Sequence, residues 1–171
     1  TRTPSVDILP ADVRLADAAL GLANQLGRET RLRAALEPLE SRYDVVVVDT
    51  SPTRSLLTIN ALVAVREVFV PIEPSLFSIA GIGSLQDAVA DVRRYLSNPD
   101  LRIAGLVLTR TRRDNVSRDA EAQIREAFGP LVLTTTIPTN AKVEEAHGRF
   151  VSVLDYAPAS PGAKAYAALI E

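Results

Sequence analysis

The chain has 171 residues, of which 47% are hydrophobic, a net charge of −2 and a sequence pI near 5.5. This size suits one domain with a sizeable core, so we expect a single domain over residues 1–171. The charge excludes a strong overall field for nucleic acid, and any DNA binding therefore has to be local. With no cysteine and one histidine, His147, the sequence excludes thiolate-held metal sites and argues against a His-based one.

Hydropathy gives a further expectation about location. No apolar run approaches the length of a transmembrane helix, and no charged-then-apolar leader opens the sequence. The sequence therefore predicts a cytoplasmic protein. Separately, the single histidine, His147, is predicted to be an exposed residue at a helix end.

The first forty residues are predicted to form a short strand and two helices. Residues 6–10 read VDILP, a mostly apolar stretch closed by proline, and Asp12 is a candidate helix cap. Apolar residues then recur at helical spacing at Leu15, Ala19, Leu22 and Leu26. Gly27 and Pro38 interrupt this region, which indicates two helices.

Residues 43–52 read YDVVVVDTSP. Four valines without period-two alternation are typical of a strand buried on both faces of a parallel sheet. Ligands of open α/β sheets bind at the carboxyl ends of strands, where a carboxylate such as Asp49 is a candidate Mg²⁺ ligand. The alternative is that Asp49 only caps a turn.

Helices and strands are predicted to alternate through the rest of the chain. The predicted elements are a helix over 56–63, a strand over 68–72, a helix over 81–96, a strand over 103–109, a helix capped by Asn115 or Ser117 and stopped by Gly129, a strand over 131–137, a helix begun by Asn140, and a terminal helix introduced by Ser160 and Pro161. This order predicts an α/β fold with a doubly wound, mostly parallel sheet.

One phosphate-binding motif has no counterpart in the sequence. A P-loop reads G-x-x-x-x-G-K-[ST], and both lysines here, Lys142 and Lys164, follow alanine. We therefore expect no autonomous ATPase activity from this chain, because phosphoryl transfer needs the loop and its lysine.

Six segments occur in this order along the chain: VDILPADVRLADAAL, NQLGRETRLRAALEPL, YDVVVVDTSP leading to LLTINALVA, VPIEPSLFSIAGIGSL, IPTNAKVEEA and SPGAKAYAAL. Together they resemble the ParA/Soj family of partition ATPases, which are relatives of MinD. The resemblance runs from about residue 5 to the end. It implies a P-loop NTPase-like fold that lacks the family's amino-terminal Walker A strand, loop and helix.

The resemblance also implies roles for residues around Asp49. In the family, the matching aspartate helps organise Mg²⁺ and the attacking water. The turn that follows is the second switch, which senses the γ-phosphate and here comprises Thr50, Ser51, Pro52 and Thr53.

The same resemblance implies that one segment binds the nucleotide. Pro138 and Asn140 are expected to lie against the adenine of Mg-ATP, with Thr109 at the neighbouring strand end. From the residues alone, the alternative is a strand terminator followed by a helix cap. Thr139 stands where the family often has arginine.

The stretch TRTRRDN contains the candidate DNA-binding residues Arg110, Arg112 and Arg113. The run from Arg113 to Val116 is similar to a family segment whose arginine contacts DNA, and Lys142 falls on a second basic position of that surface. A few phosphate contacts per subunit bind weakly, so function would require a dimer or an array. The alternative is a solvated loop whose charges serve solubility.

The resemblance thus implies a ParA-like partition protein of the cytoplasm and nucleoid. In complete form it would use Mg-ATP, bind DNA non-specifically, and pair with a ParB-like protein and with itself or a full-length ParA-like chain. Two alternatives stay open: a shortened pseudo-ATPase that acts by association, and a metabolic P-loop relative with a small-molecule substrate. No membrane partner is expected, because the final helix, AKAYAALIE, is short and weakly basic.

Overall fold

The structure is a computed structural model that describes residues 6–75 and 77–170, and only the backbone of residue 16. It contains two compact units. The sheet unit comprises residues 69–84 and 103–170, and the helical unit comprises residues 6–68 and 85–102. The helices are α1 (Arg14–Leu22), α2 (Arg31–Leu36), α3 (Leu56–Ala64), α4 (Ser78–Tyr95), α5 (Asn115–Phe128), α6 (Ala141–Gly148), α7 (Val153–Tyr156) and α8 (Pro161–Ile170), and the strands are β1 (Glu67–Ile72), β2 (Arg102–Thr111) and β3 (Val132–Pro138).

The sheet has the order β1-β2-β3, and β2 pairs with β3 in parallel. Its core contains Leu106, Leu108 and Ile124, all fully buried. Leu106 and Leu108 lie on the central strand β2 and share a buried cluster with Ile124 of α5. They can do so because alternate side chains of a strand face the same side, while a helix presents one apolar stripe. The predicted α/β fold class with a parallel sheet is confirmed.

Local signals set the ends of the elements in the sheet unit. Asn140 caps α6 and Gly129 ends α5, as predicted. The cap of α5 lies one to three residues before the predicted positions, because Asp114 is the residue whose carboxylate accepts from the N–H of Ser117, at 2.8 Å. An N-cap side chain accepts from the backbone N–H of the second or third helical residue. Ser117 is the third residue of α5, so it is the residue that the cap binds rather than the cap itself.

The helical unit is held by two buried asparagines. The Asn60 side chain accepts from the N–H of Leu32 at 3.1 Å and donates to the carbonyl of Arg28 at 2.8 Å. Asn98 donates to the carbonyls of Leu62 and Val65, at 2.8 and 2.7 Å. Because these amides satisfy backbone groups at helix ends, they fix the chain on either side of α3.

Two predicted strands are wrong. Residues 6–10 and 45–50 belong to no strand, and Val45, Val46 and Val47 are 75%, 46% and 87% exposed. A valine run becomes a strand only when neighbouring backbone completes its hydrogen-bond ladder. Within the described residues, no strand pairs with this run.

Candidate nucleic-acid interface and nucleotide segment

The carboxyl end of β2 leads into the candidate DNA-binding loop, which we call the arginine loop and define as residues 110–113. Arg110 has φ of +52°, a left-handed conformation that costs a side-chain-bearing residue about 1 kcal/mol or more. It lies between Thr109 and Thr111, where the register of β2 against β3 shifts. The strand therefore ends in a bulge, a feature that redirects side chains at the edges of sites.

Thr139 holds this bulge from the neighbouring strand. Its hydroxyl donates to the carbonyl of Arg110 at 3.1 Å, and its backbone N–H donates to the carbonyl of Thr111, also at 3.1 Å. The arginine loop and the segment that follows β3 are thus joined by direct hydrogen bonds.

Two guanidinium groups of the arginine loop converge on one carboxylate. The Nη1 atom of Arg110 is 3.7 Å from Oε2 of Glu73, and Nη2 of Arg112 is 3.4 Å from Oε1 of the same residue. All three side chains are about half exposed or more. Sequence reasoning missed Glu73, although it directly follows β1, the strand beside β2 in the sheet.

The far side of the arginine loop is fixed by α5. The backbone N–H of Arg112 donates to Oγ of the buried Ser117 at 3.2 Å, while Asp114 caps the helix. Arg113 is exposed, and no carboxylate within residues 6–75 and 77–170 forms an ion pair with it. Its charge is therefore available to an external anion.

Lys142 lies in the first turn of α6, three residues beyond Thr139. Its ammonium group is 2.7 Å from Oε2 of Glu145, which also accepts from the hydroxyl of Tyr156 at 2.8 Å. Glu145 raises the pKa of Lys142 by hydrogen bonding, and Lys142, followed by Tyr156, lowers the pKa of Glu145. Lys142 is a stable cation that already has a partner.

The predicted nucleotide residues lie together at the strand ends. Thr109 is opposite Ile137 in the parallel ladder, and Pro138 is opposite Thr111. The side chain of Asn140 accepts from the N–H of Lys142 at 3.1 Å and thereby caps α6. Thr109, Pro138 and Asn140 are half-buried, so they can line a surface without being sealed inside the core.

Asp49 and the predicted switch turn belong to the helical unit. Asp49 is exposed, and the turn behind it is tied to the start of α3. The hydroxyl of Thr58 donates to the carbonyls of Thr53 and Ser51, at 2.6 and 3.4 Å, and Ser51 and Thr53 share a hydroxyl hydrogen bond of 2.8 Å. These hydrogen bonds anchor the turn at the amino terminus of α3.

The described residues provide no preassembled metal cluster: over 6–75 and 77–170, no three His, Cys, Asp or Glu side chains converge as they would around an ion. His147 is exposed in the last turn of α6, as predicted. Across the part of the chain that the structure describes, no helix combines the length and apolar character that a membrane crossing needs.

Comparison with known proteins identifies the family. The family model AAA_31, described as an AAA domain, matches residues 1–103. The chromosome-partitioning ATPase Soj of Thermus thermophilus is 38% identical over 165 residues, which cover 96% of this chain and 64% of that protein. The chromosome partitioning protein ParA of Caulobacter vibrioides is 36% identical over 169 residues, 97% of this chain and 63% of its own length. The chain belongs to the AAA_31 family and is a ParA/Soj-type member of it.

A solved structure extends the comparison to three dimensions. Cobyrinic acid a,c-diamide synthase from Mycobacterium smegmatis, with bound ADP and magnesium, superposes with a TM-score of 0.74 at 31% identity, over 92% of this chain and 57% of that one. This likeness supports the P-loop NTPase-like fold of the ParA/Soj-type chain. The chain spans 53% to 66% of the lengths of the curated relatives it matches.

Proposed function

We propose that this ParA/Soj-type chain contributes the DNA-binding surface of a partition protein. The observation that carries the proposal is the exposed arginine loop at the end of β2, with Arg113 unpaired within the described residues. Because such contacts are to phosphates, binding would be independent of sequence and steeply dependent on salt.

We extend the DNA surface along the carboxyl edge of the sheet to Lys142. Thr139 bridges the two basic elements, since it donates to the carbonyl of Arg110 and lies three residues before Lys142. Lys142 has a carboxylate partner, so it would add less to phosphate binding than Arg113. Related partition proteins carry the names ParA and Soj, and DNA, a ParB-like protein and a dimer partner enter here as proposed partners.

The nucleotide role is proposed for the complete protein. Pro138 and Asn140 would lie against adenine, with Thr109 at the adjacent strand end, and the hydrogen bonds of Thr139 would link them to the arginine loop. Asp49 fits a Mg²⁺ site because it is an exposed carboxylate, and Mg²⁺ keeps several waters while taking one or two carboxylates. The bound ion would neutralise phosphate charge, and Thr50 to Thr53 would respond to the γ-phosphate through their ties to α3.

The DNA proposal is tested by fluorescence anisotropy of the 171-residue chain on a short random duplex at low and moderate salt. We expect salt-sensitive binding that Arg113→Glu weakens about tenfold or more, with a shallower salt slope. The matched control is Arg42→Glu, which makes the same charge change at an exposed turn of the helical unit. Equal losses in both variants, or no loss in Arg113→Glu, would show that the wrong surface has been chosen.

The nucleotide proposal needs a separate test. In a fusion of this chain to a Walker A strand, loop and helix, we expect Mg-ATP binding, and Asp49→Ala should lower hydrolysis at least about tenfold. The fusion carrying Asp44→Ala controls for loss of an exposed carboxylate from the same stretch. Unchanged turnover in Asp49→Ala would remove Asp49 from the mechanism.

A further inference from the structure

Within the described residues, Glu73 is the only carboxylate that forms ion pairs with the arginine loop. It directly follows β1, the strand beside β2, and it reaches both Arg110 and Arg112. One negative charge is therefore shared between two positive charges that the DNA proposal assigns to phosphate contacts.

The geometry of these pairs makes them exchangeable. Their N···O distances of 3.7 and 3.4 Å exceed the 2.7–2.9 Å typical of charge-assisted hydrogen bonds, and the side chains are 66%, 62% and 45% exposed for Arg110, Arg112 and Glu73. Exposed pairs of this kind contribute little, because water and salt compete for both groups. A phosphate can displace such a carboxylate but has to compete with it.

The bulge at Arg110 holds the two guanidinium groups within reach of Glu73. Thr139 fixes the backbone of Arg110, and Ser117 fixes that of Arg112, so the loop does not need Glu73 to keep its path. Removal of the carboxylate charge should therefore leave the loop in place with two free guanidinium groups.

We propose that Glu73 is a built-in competitor that regulates how tightly the arginine loop binds phosphate. It occupies Arg110 and Arg112 in the free protein, leaves Arg113 for the first contact, and is displaced as phosphates engage. The inference rests on the proposed function in taking the DNA backbone as the competing anion.

The test compares Glu73→Gln with the unmodified chain, by anisotropy on the random duplex and by titration with short-chain inorganic polyphosphate. Gln keeps the size of the side chain and removes its charge. Glu126→Gln is the matched control, because it makes the same charge change on an exposed residue of α5. It lies about 17 Å along α5 from Asn115, where the helix begins, which is beyond the Debye length at physiological salt.

We expect Glu73→Gln to tighten binding about three- to tenfold for both probes, and Glu126→Gln to change it less than about twofold. Unchanged affinity of Glu73→Gln, with DNA binding by the unmodified chain, would overturn the inference and leave the DNA function standing. If Glu73→Gln bound polyphosphate more tightly but neither chain bound DNA, the result would support the competing role of Glu73 and overturn the DNA function. No binding of either probe by either chain would overturn both.

Discussion

The packing of α8 against α6 gives a quantitative prediction at Gly162. A Cβ atom added to this buried glycine would lie 2.6 Å from Cγ2 of Val143 and 3.2 Å from Cβ of Asn140. Carbon atoms in contact are normally about 3.5–4.0 Å apart, so the clash with Val143 is about 1 Å. Valine in a helix has essentially one χ1 rotamer and cannot turn the methyl group away.

The magnitude for Gly162→Ala follows from two opposing terms. Overpacking a well-filled site costs about 1–3 kcal/mol, and alanine regains about 1 kcal/mol of helix propensity. We therefore expect a net loss of about 1 kcal/mol. In a Val143→Ala background the clash is gone, so the same change should stabilise the protein, which gives a coupling of about 1–3 kcal/mol.

The assay is urea denaturation of the unmodified chain, the two single variants and the double variant. Gly83→Ala is the control, because Gly83 lies inside α4 and, apart from its chain neighbours and the backbone of its own helix, no described atom lies within 4 Å of the position that its Cβ would take. That substitution should stabilise the protein by up to about 1 kcal/mol. A coupling below about 0.5 kcal/mol between positions 162 and 143 would refute the packing argument. This double-mutant cycle also tests the packing around the nucleotide segment, because Asn140 lies beside the same contact.

Three further predictions concern single sites. Asn98→Ala should cost about 1–3 kcal/mol of unfolding free energy because it orphans buried carbonyls, whereas the exposed Asn24→Ala should stay within about 0.5 kcal/mol; equal costs would contradict the role of the amide. Arg110→Gly should be more stable than Arg110→Ala by about 1 kcal/mol in urea, because only glycine adopts positive φ without strain, and equal stabilities would argue against the bulge. The pKa of Glu145, measured by NMR, should lie below its ordinary 4.5 and rise towards it in Lys142→Ala. Because this pKa is depressed in the folded state, the stabilising contribution is present above pH 4.5 and is lost as pH falls through the lower value; an unmoved pKa would show that the pair does not persist in solution.

The sheet unit is largely predictable because its signals are local. Asn140 and Gly129 mark the ends of α6 and α5 by their own backbone chemistry, and the apolar runs of β2 and β3 lie beside each other. The order of elements then leaves few topologies.

The features that sequence reasoning missed depend on interactions that local sequence does not encode. Val45 to Val48 has strand composition, but a strand exists only with a partner, and within the described residues it has none. Glu73 meets Arg110 and Arg112 only because the sheet brings together residues 37 and 39 positions apart. The roles of Asp49, Thr109, Pro138 and Asn140 remain predictions, because they depend on bound molecules.

The acidic residues that flank the exposed valines also oppose self-association of this segment. Four consecutive β-branched residues without a charge are the kind of segment that joins edge to edge with copies of itself. Asp44 and Asp49 bracket the run and act as gatekeepers, since stacking identical chains would bring their carboxylates together. Replacement of Asp49 thus removes a safeguard against aggregation as well as a metal ligand candidate, and the two effects separate by their dependence on protein concentration.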